Sequence, residues 1–108
     1  MARGETIRAK ELRRGILMAL RAARGPGYDG WLSARSLWNT LRFDADGLTR
    51  REVEEHLRYL AEKEYAEVRE RREAKWDACE VDGRITARGI DLLEETIPAD
   101  PGVEDNRA

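Results

Sequence analysis

At residue 65 the hydrophobic period of this chain changes from about 3.6 residues to 2, and that change limits the fold more than any other feature. Upstream, Val53, Leu57 and Leu60 repeat at helical spacing. Downstream, Tyr65-Ala66-Glu67-Val68-Arg69-Glu70-Arg71-Arg72 interleaves β-formers with charges, and a second such run extends from about Trp76 to Val81. Glu73-Ala74-Lys75 between them reads as a charged tip, so a helix feeds directly into a β-hairpin. Asp82-Gly83 reads as a turn after the hairpin. Thr86 then caps a last helix over 87–96, with Ile90, Leu93 and Ile97 inward and Pro98 as its stop.

The rest of the chain is helical. Residues 6–24 form a first helix with Thr6 at its start and Leu12, Ile16 and Leu20 on one stripe. Gly25-Pro26-Gly27 ends it. A short edge strand around Trp31-Leu32 leads to Ser33, an N-cap whose hydroxyl can accept from the N–H of Arg35 or Ser36. A second helix over 34–42 buries Ala34, Leu37 and Leu41. Phe43 closes it, and Asp44-Ala45-Asp46-Gly47 is a turn. Thr49 and Glu52 make a capping box, and Leu48 and Val53 a hydrophobic staple, so a third helix starts at Thr49 and runs to about Lys63. The expected fold class is α+β, mainly α, with one domain over 1–97. The acidic tail, 98–108, has two prolines and is expected to be disordered or extended.

Three stretches taken in order resemble the winged-helix variant of the helix-turn-helix family. Leu32-Ser33-Ala34-Arg35-Ser36-Leu37 looks like the start of that family's second helix. Leu48 to Leu60 looks like its recognition helix. Ile85-Thr86-Ala87-Arg88-Gly89-Ile90-Asp91-Leu92-Leu93 is similar to the segment that follows the wing in many winged-helix repressors. The likeness covers residues 7–97 and implies a three-helix bundle, a β-hairpin wing and a closing helix. The Ile85–Gly89 stretch is also similar to a helix in small winged-helix proteins of Mu-like phages. Two departures stand out. Glu64 occupies the junction where many members place glycine, a site that needs positive φ. The Phe43–Gly47 loop is longer than a tight helix-turn-helix turn.

The resemblance implies a protein that reads double-stranded DNA, as a transcriptional regulator or a phage or prophage accessory factor. The N-terminal half of the third helix would enter the major groove. Arg50, Arg51 and Arg58 could then meet guanine edges or phosphates, with Glu54 or Glu55 accepting from cytosine. Thr49 lies at the same helix start. The same alternation of Arg and Glu also describes ordinary surface pairs, Arg51 with Glu55, Glu54 with Arg58 and Arg58 with Glu62. The wing carries Arg69, Arg71, Arg72 and Lys75 against Glu67, Glu70 and Glu73. This suits phosphate contact and equally a solvated hairpin that protects its own edge. Arg35 sits where a helix N-terminus can hold a phosphate. The alternative is a winged-helix protein-interaction module without DNA binding, supported by the acids on the reading face and in the tail.

Charge distribution fits either reading. Residues 1–24 carry seven Lys and Arg against two acids, and residues 91–108 carry six acids against one Arg, within a net charge of −2. The single cysteine, Cys79, and single histidine, His56, cannot complete a structural zinc site or an internal disulfide. A reducing, cytoplasmic setting is therefore expected, with no cofactor and no enzymatic activity. Cys79 alternates with Val81 as a small buried hydrophobe, and His56 reads as a surface residue. Trp31 and Trp38 read as core or core-edge aromatics. Trp76 either packs against the hairpin base or is exposed at a partner interface. No apolar run approaches the ~20 residues that span a bilayer, and the basic, amphipathic N-terminus does not read as a secretory signal. The first and last helices are the expected elements of a homodimer.

Overall fold

A computed structural model of the chain describes residues 3–73, 75 and 78–105, with side chains from residue 7 onward. The expectation for Trp76 lies outside the described residues. The first helix, α1, spans Arg3–Ala22. It begins ahead of Thr6, which lies inside it, and takes Gly4 into its first turn although glycine costs about 1 kcal/mol relative to alanine in a helix. Leu12, Ile16, Leu17 and Leu20 form its buried stripe. Gly27 and Gly30 take positive φ in the connection that follows, at 85° each, so glycine is what these turns require.

β1 is Leu32–Ser33 and α2 is Ala34–Leu41. Ser33 caps α2 by accepting from the Ser36 N–H at 3.0 Å. Ala34 and Leu37 are buried. Trp38 lies at the core edge, donating from its indole N–H to the Leu48 carbonyl at 2.6 Å and tying α2 to the loop before α3. α3 spans Arg50–Glu62. Its capping box forms, with the Glu52 N–H donating to the Thr49 hydroxyl at 3.1 Å, and both staple residues, Leu48 and Val53, are buried.

α3 ends in a Schellman motif. The Glu64 N–H reaches the Ala61 carbonyl at 3.0 Å and the Tyr65 N–H reaches the Leu60 carbonyl at 2.9 Å. This geometry puts Glu64 at φ 67°, so a glutamate carries the left-handed conformation that glycine adopts at no steric cost.

β2 (Ala66–Glu73) and β3 (Ala78–Ile85) pair antiparallel, from Ala66 opposite Ile85 to Glu73 opposite Ala78. β1 pairs with the other edge of β3, Leu32 opposite Gly83 and Ser33 opposite Asp82, giving the order β1-β3-β2. The expected turn at Asp82-Gly83 is therefore strand. Partners on both sides extend the ladder through it, and Gly83 gives Leu57 room to approach, since a Cβ there would lie 2.6 Å from Leu57 Cδ2. Val81 and Ile85 face the core. Cys79 shares their parity but is exposed, a correction to the expected burial, because it lies opposite Arg72 near the hairpin tip.

Thr86 caps α4 (Ala87–Leu93), accepting from the Gly89 N–H at 3.1 Å while its own N–H donates to the Tyr65 carbonyl, also at 3.1 Å. α4 is shorter than expected and ends at Glu94 in a second Schellman motif, with Glu95 at φ 64°. The fold is thus α+β and mainly helical, with four helices and one three-stranded antiparallel sheet among the described residues. The chain does not leave the body at Pro98. Residues 98–105 return across α1, burying Val103 in the core at 4% exposure and Asp100 at 8%.

Gly89 is required by close approach and not by φ. A Cβ there would collide with the Tyr65 carbonyl oxygen and lie 2.8 Å from Ile85 Cγ1. Gly89→Ala should cost about 3 kcal/mol of unfolding free energy in urea, because backbone must move. Gly83→Ala should cost about 1 kcal/mol, because the flexible end of Leu57 can yield. Glu64→Gly should stabilise by about 1 kcal/mol by relieving the left-handed backbone.

Candidate functional site

Two carboxylates on β3 organise the charged side of the sheet. Glu80 and Asp82 alternate with the inward Val81 and so point the other way, yet they are only 3% and 2% exposed. Glu80 accepts from two helix starts at once: the Arg35 backbone N–H in the first turn of α2 at 3.0 Å, and Arg50 Nη2 at the start of α3 at 2.7 Å. Asp82 accepts from Arg69 Nε at 3.0 Å and from Arg71 Nε and Nη2 at 2.6 and 3.2 Å. Burial alone pushes the Asp82 carboxyl up, and the hydrogen bonds from Arg71 and Arg69 outweigh it, leaving its pKa below the usual value. Arg71 is held above its usual value by Asp82 first and Glu73 second.

The acids are hidden and the guanidinium groups that cover them are not. The side chains of Arg50, Arg69 and Arg71 keep 40%, 44% and 39% exposure. Arg69 and Arg84 also lie over the half-buried Trp31 ring, at 4.2 and 4.6 Å from its centroid. Trp31 therefore serves the charged layer of the sheet. Arg84 is braced in turn by Glu67 at 2.6 Å.

The structure thus brings together the side chains of Arg50, Arg69 and Arg71 among the residues singled out from sequence, while Arg35 joins them through its backbone N–H, so that Glu80 occupies the α2 N-terminus where a phosphate was expected. Arg50 Nε is buried with no hydrogen-bond partner among the described residues. Thr49 is exposed at the cap of α3. Arg51 is the most open of the predicted α3 contacts, 89% exposed and 3.7 Å from Glu55, itself 68% exposed. Glu54 is half-buried. Arg58 reaches across to Glu70 of β2 at 2.8 Å instead of pairing along its own helix. Arg72 and Lys75 are exposed toward the hairpin tip.

A second polar cluster has no counterpart in the sequence reading. His56, expected at the surface, is 8% exposed. It lies one turn before Leu60 and beside Leu57, on the flank of the buried stripe where α1 covers it. Its Nδ1 accepts from Arg13 Nε at 3.3 Å, so the ring proton is assigned to Nε2, which lies 3.9 Å from Glu52 Oε2. Glu52 is clamped by Arg8 through Nε and Nη2 at 3.1 and 3.2 Å, the main reason its pKa is lowered. Arg13 also stacks on Tyr59, 3.6 Å from the centroid, and donates to the Gly102 carbonyl at 2.9 Å. The Tyr59 and Tyr65 hydroxyls both donate to Asp100, at 3.2 and 2.8 Å. Pairings between residues 35 to 90 positions apart leave no periodic signal that could have revealed them.

The chain matches no family model, no curated protein and no solved structure. Among the described residues no helix is long and apolar enough to cross a membrane.

Burial is the largest cause lowering the His56 pKa, and the Arg13 charge adds to it, against the opposite pull of Glu52 and Glu55. Folding therefore favours neutral His56. Its contribution is complete above the unfolded value of about 6.5 and is lost as pH falls below that. Urea unfolding should show lower stability at about pH 5.5 than at about pH 7.5. His56→Gln, which keeps an acceptor for Arg13 without titrating, should flatten that difference.

Proposed function

We propose that this chain is a winged-helix DNA-binding protein that meets duplex DNA with α3 and the β2–β3 hairpin, acting in the cytoplasm as a transcriptional regulator or a phage or prophage accessory factor. One observation carries the reading. Arg50 at the start of α3 and Arg69 and Arg71 on the hairpin are tethered to carboxylates two residues apart on the same strand. Helix start and hairpin are thereby fixed relative to each other, with partly exposed guanidinium groups fanned over buried acids. A guanidinium has five N–H donors, and a carboxylate behind it leaves others for phosphate oxygens. Arg51 stands beside this array, open enough to reach a groove. The sequence resemblance and the order of three helices, hairpin and closing helix support this reading.

A second reading, a protein-interaction module, is favoured by the same carboxylates. Glu80 and Asp82 neutralise part of the charge that phosphates would meet, and Glu55 beside Arg51 opposes a polyanion. Nuclease-insensitive co-purification with a protein partner would support it.

Titration of the chain with mixed-sequence duplex DNA at two salt concentrations separates the two. The DNA reading expects binding that weakens steeply with salt, and absence of binding at low salt ends it. Arg51→Ala should weaken binding and reduce the slope of log K against log salt by about 1 if Arg51 meets a phosphate.

A further inference from the structure

We infer that His56 is a proton-operated latch on the C-terminal segment: while neutral it holds Arg13 against residues 100–104, and protonation of its Nδ1 turns Arg13 away and loosens that segment without unfolding the helices. This is independent of any role in DNA binding. Arg13 of α1 is the hub. Its Nε donates to His56 Nδ1 at 3.3 Å, its Nη1 donates to the Gly102 carbonyl at 2.9 Å, and its guanidinium lies over the Tyr59 ring, 3.6 Å from the centroid. One planar group thus takes its direction from α3 on one side and from the segment on the other. Tyr59 in turn donates to Asp100 at 3.2 Å, so the ring that Arg13 covers also grips the segment. The rest of the seat is Tyr65, which donates to Asp100 at 2.8 Å, Val103 in the core, and Glu104, whose N–H donates to the Lys10 carbonyl at 3.1 Å and whose carbonyl accepts from Arg14 at 3.4 Å.

An arginine side chain has donors only and stays charged, so it can meet His56 only where the ring offers a lone pair. A second proton on the ring removes that lone pair. Nδ1–H then faces Nε–H, donor against donor, with two positive charges at hydrogen-bond distance. His56 is 8% exposed, so little water is present to screen them. The charged groups that face the ring are Arg8 and Arg13 from α1 and Glu52 and Glu55 from its own helix. Glu52 lies 3.9 Å from Nε2, too far for a hydrogen bond, and both its oxygens already hold Arg8. Nε2 is buried with no hydrogen-bond partner among the described residues. Protonation therefore gains an attraction without contact on the Nε2 side and destroys a direct bond on the Nδ1 side.

Arg13 is only half-buried, and its rotation toward solvent is the least costly relief. That rotation withdraws Nη1 from the Gly102 carbonyl and the guanidinium from Tyr59. The α1–α3 packing behind it rests on Leu12, Ile16, Val53, Leu57 and Leu60, which the rotation leaves in place. On the segment itself Asp100 stays ionised as His56 gains its proton. Burial pushes the Asp100 carboxyl up, and the hydrogen bonds from the Gly102 N–H and the Tyr65 and Tyr59 hydroxyls outweigh it, leaving its pKa below the usual value. Mild acid thus acts through His56 and not through the carboxylate that anchors the segment. Loosening also draws Glu104 away from Lys10 and Arg14, whose backbone and side chain hold it when seated.

Amide hydrogen exchange of the full chain, read as protection factors, tests the latch. The Glu104 N–H reports the seat, because its acceptor is the Lys10 carbonyl on α1, and the Leu57 and Leu60 amides in α3 report global unfolding. From about pH 7.5 to about pH 5 the Glu104 protection of the wild type should fall at least about tenfold, and by more than that of Leu57 and Leu60. His56→Gln offers Arg13 an acceptor that does not titrate, so its Glu104 protection should stay within about twofold over the same range. Arg13→Ala should show low Glu104 protection at both pH values alike. The proposal is overturned if wild-type Glu104 protection does not change, or falls only in step with Leu57 and Leu60. A fall that persists in His56→Gln or in Arg13→Ala also overturns it. If His56→Gln does not fold, the wild type and Arg13→Ala decide the matter by the same two comparisons.

Discussion

Asp82 sits on the middle strand of the sheet with a buried carboxylate, and most of the charged architecture depends on how that charge is compensated. A carboxylate taken from water is costly unless paired and hydrogen-bonded. Here Arg69 and Arg71 supply three N–H contacts, and Trp31 backs Arg69. The arrangement works only if β2 pairs with β3 in one register, because a slip by one residue would carry the arginines to the other face. A charge in the strand interior thus serves as a register pin. Glu80, two residues away, extends the same logic to the helices. By accepting from Arg35 and Arg50 it fixes where α2 and α3 begin relative to the sheet.

Three glycines and two glutamates show how close the backbone packing is. Gly83 and Gly89 are needed because Leu57 and the Tyr65 carbonyl occupy the space where a Cβ would project. The Thr86 N–H to Tyr65 carbonyl bond draws α4 onto the start of the hairpin, and Gly89 lets the helix reach it. Gly102 performs the same office against Tyr59. By contrast, Glu64 and Glu95 stand at left-handed positions where glycine would be unstrained. The Schellman hydrogen bonds and the packing of Tyr65 hold the α3 junction despite the side chain.

What could be read from the sequence was local. Ser33, Thr49 and Thr86 cap their helices as expected, because a cap involves neighbours three residues apart. The stripe of Val53, Leu57 and Leu60 and the hairpin after Glu64 follow from period alone. What could not be read depends on pairings distant in the chain. Asp82-Gly83 has turn composition, but β1, some fifty residues earlier, pairs with it and makes it strand. Cys79 has core parity, but the helices do not extend over the hairpin tip. His56 sits at the margin of an apolar stripe, and only the position of α1 decides that it is covered. In the candidate site, exposure of Arg51 was legible from helix geometry, whereas the partners of Arg50, Arg58, Arg69 and Arg71 were not.

The tail resolves the charge polarity visible along the chain. Basic α1 and the acidic residues after Ile97 do not act as two independent surfaces, because Asp100–Glu104 lies against Lys10, Arg13 and Arg14. The hydrogen bonds here run to the tail backbone, and they lay acidic and basic residues side by side, where their fields oppose each other over a Debye length of about 8 Å in physiological salt. The seated tail therefore weakens the positive field of the Lys10, Arg13 and Arg14 side of α1. The other basic group, at the start of α3 and on the hairpin, has buried carboxylates and partly open guanidinium groups. Docking of the tail and fanning of the arginines over Glu80 and Asp82 therefore treat positive charge in opposite ways: the first lays acidic residues beside the bases of α1, and the second hides the acids and leaves the guanidinium groups partly open.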